Sequence, residues 1–63
     1  MCEFNVYLET EGRREKIAKS VIVVKLKEGT VVLMDSGGTL TKVEKAGIIV
    51  VDTLMQELVL KKV

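Results

Sequence analysis

Val21-Ile22-Val23-Val24-Lys25-Leu26-Lys27-Glu28-Gly29-Thr30-Val31-Val32-Leu33-Met34-Asp35 is the stretch that decides the fold. Two runs rich in β-branched residues flank the pair Glu28-Gly29. β-Branched side chains fit a pleated, half-buried surface, and a two-residue turn with glycine closes a hairpin. The stretch therefore reads as two antiparallel strands. The same signals recur on both sides of it. Upstream, Cys2 to Leu8 alternates, with Phe4, Val6 and Leu8 on one face and Glu3, Asn5 and Tyr7 on the other. Thr10-Glu11-Gly12-Arg13 is a polar turn; Arg14 to Ser20 reads as a short strand or a helical turn, and strand is favoured because a hairpin through Gly12 returns it beside the first strand.

Downstream, Ser36-Gly37-Gly38 turns the chain into a half-buried strand, Thr39 to Glu44, with Thr39, Thr41 and Val43 sharing a face. Lys45-Ala46-Gly47 is a further turn. Ile48 to Asp52 reads as a buried strand, Thr53 to Gln56 as a short connection, and Glu57 to Lys62 as the last strand. Six or seven short strands separated by regular turns predict a single all-β domain over residues 1–63, a small antiparallel β-barrel or roll.

Three segments, Val21 to Val24, Val31 to Met34 and Ile48 to Val51, are apolar on both faces. A single sheet with one wet face would alternate. A curled barrel that keeps some outward valines explains part of this, since single exposed valines are ordinary. A second apolar surface that meets another copy explains more, and a homodimer is expected. Size points the same way. Sixty-three residues bury a modest core, and small domains usually add a disulfide, a metal cage or a partner copy. One cysteine excludes an internal disulfide, and the absence of histidine excludes a Cys/His zinc cage.

Composition narrows the function classes. The net charge of +1 gives no strong pull toward nucleic acid or anionic lipid. Arg13, Arg14, Lys16 and Lys19 form the one basic cluster, diluted by Glu11 and Glu15 and served by few aromatics, so it reads as a charged strand edge. No apolar run reaches transmembrane length, because Lys25, Asp35 and Asp52 interrupt the candidates, and no signal peptide is visible. The expected location is the cytoplasm, where Cys2 stays a free thiol. A chain without histidine cannot assemble a Ser-His-Asp or Cys-His pair. Asp35, before Ser36-Gly37-Gly38, and Asp52, before Thr53, read as turn formers, and Glu57 is the other carboxylate weighed as an acid, base or oxygen ligand. No enzyme activity is expected.

Cys2 carries the one sharper chemistry. It is either a small apolar residue at a strand start or a ligand. Removal of Met1, usual before a small second residue, would leave a free α-amine beside the thiol. Amine nitrogen and thiolate sulfur on one residue close a five-membered chelate ring, and a deprotonated backbone amide adds a third donor. Such planar nitrogen and sulfur donors suit nickel(II) or copper(II).

The Met1-Cys2 start, the strand Phe4-Asn5-Val6-Tyr7-Leu8, the central Val-rich hairpin and the ending Asp52-Thr53-Leu54…Glu57-Leu58-Val59-Leu60 together resemble the CooT family of small nickel-binding proteins. The resemblance implies a homodimer of small barrels, a metallochaperone-like role in nickel supply to carbon monoxide dehydrogenase, and Ni(II) bound through Cys2 at or near the dimer interface. The HypC-type hydrogenase maturation chaperones also begin Met-Cys. Glu3-Phe4-Asn5 and the lack of proline depart from their pattern. A HypC-like adaptor or an RNA-binding module is the alternative reading.

Overall fold

The computed structural model describes residues 2–63, and these form six β-strands with no helix among them. They are β1 (Phe4–Thr10), β2 (Arg13–Lys27), β3 (Thr30–Asp35), β4 (Leu40–Val43), β5 (Ala46–Asp52) and β6 (Glu57–Lys62). One sheet holds all six in the order β4-β3-β2-β1-β6-β5. Its inner face packs Val6, Val21, Val31, Leu33, Val43, Ala46, Leu58 and Leu60 into the core. Phe4, Leu8, Ile17, Ala18, Val24 and Ile48 extend it at the margins.

The all-β expectation holds, with three corrections. The sheet curls into a half-barrel and does not close, because β4 and β5 lie at opposite edges and form no ladder with each other. β4 is only four residues long, and the chain leaves it at Glu44-Lys45 to cross the open side. There the Ala46 N–H donates to the Gly29 carbonyl at 3.0 Å. The expected turn at Lys45-Ala46-Gly47 is accordingly shorter, and Ala46 already begins β5. Second, the sheet is not wholly antiparallel: β1 and β6 run parallel, with Val6 beside Leu58 and Leu8 beside Leu60.

Third, Arg14–Ser20 and Val21–Lys27 are one strand. β2 runs fifteen residues and uses its first half to pair with β1 and its second to pair with β3. The register slips twice against β1 and once against β3. In each case β2 carries the extra residue, and a β-bulge of this kind bends a strand and raises its twist. Ser20, at φ +54°, sits where the strand changes partner. The bulges also account for part of the apolar runs. Val21 and Val24 both face the core although three positions apart, because the slip between Val21 and Val23 resets the alternation. A slip between Ile48 and Val50 does the same in β5.

The turns follow the local chemistry. Glu11-Gly12 and Glu28-Gly29 have φ of +50°, +77° and +50°, +79°, the type I′ pattern that matches the strands' twist. In the β3–β4 connection, the Asp35 Oδ1 accepts from the N–H groups of Gly37 and Thr39, each at 2.9 Å. Asp52 Oδ1 likewise accepts from Leu54 at 3.0 Å and Met55 at 2.9 Å. Both carboxylates are therefore held in turns, as their positions predict. Replacing Asp35 with alanine should cost about 1–2 kcal/mol, from two hydrogen bonds of modest net value. In a domain of this size that is a fall in Tm of about 8–15 °C. Asp35→Asn keeps the acceptor and should lose less; equal losses for both variants would assign the effect to charge instead.

Candidate metal centre

Cys2 lies two residues before β1, outside every ladder, and is an exposed free cysteine. The sheet anchors the chain just behind it. Phe4 pairs with Val21 of β2, and the Asn5 N–H donates to the Gln56 carbonyl at 2.9 Å. Cys2 and Glu3 thus leave a fixed strand end and reach into solvent, so the thiol is open to a metal ion. Met1, whose removal decides whether Cys2 offers its amine, lies outside the described residues.

One chain offers a thin donor set. Among the described residues no group of three or more Cys, His, Asp or Glu side chains is placed to share a metal ion. Asp35 and Asp52, weighed as oxygen ligands, instead cap their turns. Glu57 pairs with Asn5 and Asp52 in the sheet. A site at Cys2 must take its other donors from the backbone or from a second copy of the chain. The chemistry fits that requirement: thiolate sulfur with backbone nitrogen is a donor set for square-planar nickel(II) or copper(II).

Apolar surface gathers beside this strand end. Phe4, Val24, Ile48, Val51 and Leu58 line a hollow of about 210 Å³ at the margin of the core. Phe4 of that lining is two residues from Cys2. Exposed large apolar side chains gather in one segment, with Ile49, Val50, Val51, Leu54 and Met55 all open to solvent and Leu54 at 89%. This segment is the β5 edge strand and the connection to β6, which reaches Gln56 beside Asn5. The doubly apolar β5 strand is visible in the amino-acid pattern, whereas Leu54 and Met55 lie in what reads as a plain connection. Their exposure is set by Asp52, whose carboxylate turns the chain there.

The basic cluster is dispersed along the β1–β2 hairpin. Arg14 Nη2 lies 3.3 Å from Glu9 Oε1, and Lys16 and Glu15 stand opposite Tyr7 and Leu8 in the ladder. No helix among the described residues is long and apolar enough to cross a membrane.

A family model described as CO dehydrogenase accessory protein CooT matches residues 1–61. A comparison with curated proteins finds no match.

Proposed function

The chain belongs to the CooT family of carbon monoxide dehydrogenase accessory proteins, and from that premise we propose that it carries nickel(II) on Cys2 as a homodimer and serves maturation of that enzyme. The match over nearly the whole chain carries the maturation role. The exposed cysteine at a fixed strand end supports the nickel reading. Nickel here is cargo, so an accessible and weakly enclosed ligand suits the task better than a buried cage. A family of accessory proteins accords with a non-enzymatic role, and the proposed place of action is the cytoplasm.

The dimer follows from the same site. One thiolate per chain is too few, and two chains that bury the β5 edge and the segment from Ile49 to Met55 would bring their Cys2 residues toward one another. An unpaired edge strand with exposed apolar neighbours is a template for pairing with a second copy. In this arrangement two thiolates and backbone nitrogens complete a planar four-donor site, with one nickel per two chains.

Nickel titration combined with sedimentation tests the proposal. The protein should sediment at about twice the chain mass at micromolar concentration and bind one nickel per dimer, with sulfur-to-metal charge-transfer absorption. A clean monomer with no nickel uptake would sink it. The HypC-like and RNA-binding alternatives lose ground to the family match. Single-stranded RNA should form no sub-micromolar complex at physiological salt. A tight complex abolished by Arg13→Ala and Arg14→Ala would restore the RNA reading.

A further inference from the structure

The outer face of β2, β3 and β4 carries a second apolar surface, remote in the sheet order from the β5 edge. In the ladder, Val23 stands beside Met34 and Met34 beside Leu40. One row along, Lys25 stands beside Val32 and Val32 beside Lys42. Directly paired residues share a face. Leu33, between Val32 and Met34, points into the core, so both rows point out. Val23, Lys25, Val32, Met34 and Leu40 line a groove of about 400 Å³. Leu40 is 59% exposed, and β4 leaves its outer edge unpaired.

We propose that this face docks a segment of carbon monoxide dehydrogenase in extended form, added beside β4, with an apolar side chain and a carboxylate two residues apart. The partner's identity rests on the maturation reading above; the chemistry of its segment rests on the face. An added strand satisfies the unpaired N–H and C=O groups of β4. Side chains two apart on it share the outer face. One meets Leu40 and reaches over it toward Met34, and the other meets Lys42; Val23 and Lys25 lie on β2, a further strand in, where Lys25 adds positive field and not a direct contact. The two rows contain cations and no carboxylate. A second copy laid face to face here would bring no carboxylate from these rows to meet the lysines. Nucleic acid is the poorer fit, since neither row holds an aromatic side chain on which a base could stack.

The test measures binding of the nickel-free enzyme, purified, to the whole accessory protein. Variants are Met34→Glu, Leu40→Glu, Leu40→Ser and the pair Lys25→Glu with Lys42→Glu. These side chains face outward, and thermal melts should show each variant folded. Each Met34 and Leu40 variant should weaken the complex about tenfold or more, as truncation of a central apolar anchor does. The lysine pair should weaken it and flatten its salt dependence. Nickel stoichiometry and dimer mass should not change. Binding by the variants equal to that of the parent overturns the docking face and leaves the maturation reading standing. A parent that takes up nickel but does not bind the enzyme overturns both. A Met34→Glu chain that sediments at single-chain mass, or loss of binding to phosphatidylserine vesicles that tracks the same variants, reassigns the face to a second copy or a membrane and overturns the proposal.

Discussion

Leu60→Ala should leave little folded protein at room temperature. Leu60 is fully buried at the centre of β6, with Leu8 of β1 on one side and Ile48 of β5 on the other. All three point into the core, so the ring of side chains is broken where the parallel and antiparallel pairings meet. Leucine-to-alanine changes at such positions cost about 2–5 kcal/mol, part transfer and part cavity. A core of this size supplies about 3–5 kcal/mol in all. The two figures are comparable, so one methyl cluster decides whether the chain folds. Urea unfolding at fixed protein concentration reads the effect, because association makes the midpoint concentration-dependent. With a slope of about 1 kcal/mol per molar urea, the midpoint should fall by two molar or more. Val63→Ala, at a position 93% exposed, is the control and should shift stability by less than about 0.5 kcal/mol. A Leu60→Ala midpoint as close to the parent as the control's would mean that the dimer contact, and not this core, holds the fold.

The positions of the strands were legible because turn chemistry and alternation agree along most of the chain. Glu28-Gly29 and Glu11-Gly12 closed the hairpins that their residues predict, and Glu57 to Lys62 formed the last strand as read. The topology was less legible. A parallel neighbour for β1 has no local signal, since β6 is remote in sequence and its register is fixed by packing of Leu58 and Leu60. Bulges were the other obstacle. Val21 to Val24 reads as apolar on both faces under strict alternation, and no residue pattern announces the slip at Ile22 that turns Val24 back to the core. Open curl and closed barrel share the same strand pattern, so the unpaired β4 and β5 edges could be seen only in the structure. For the site, the sequence named Cys2 and its exposure agrees with a ligand role. The apolar neighbourhood of that strand end was hidden, because the β5–β6 connection comes beside Asn5 only through the Gln56 carbonyl.

Nickel binding should disappear with Cys2→Ser while the fold survives. The two halves of this expectation have separate grounds. The fold should survive because Cys2 is exposed, precedes β1 and takes part in no ladder; surface changes of this kind usually alter stability by less than about 0.5 kcal/mol. Binding should be lost because no other Cys, His, Asp or Glu cluster among the described residues is placed to hold the ion. A serine hydroxyl stays protonated near neutral pH and is a poor ligand for a metal that prefers sulfur and nitrogen. The loss should exceed about a hundredfold, the upper end of what an outer-shell partner is worth, because a ligand itself is removed. Charge-transfer absorption should vanish with it. At the proposed site, protons would compete with nickel for the thiol and for backbone nitrogen, so affinity should fall as pH falls and binding should release protons. The role of the amine separates from that of the thiol by comparing chains with and without Met1. If the α-amine is a ligand, the chain that retains Met1 should bind more weakly with the absorption shifted; if backbone amides suffice, the two should match. A Cys2→Ser chain that binds nickel as tightly as the parent, with the same absorption, would return Cys2 to a structural residue and leave the maturation role to be explained by protein contacts alone.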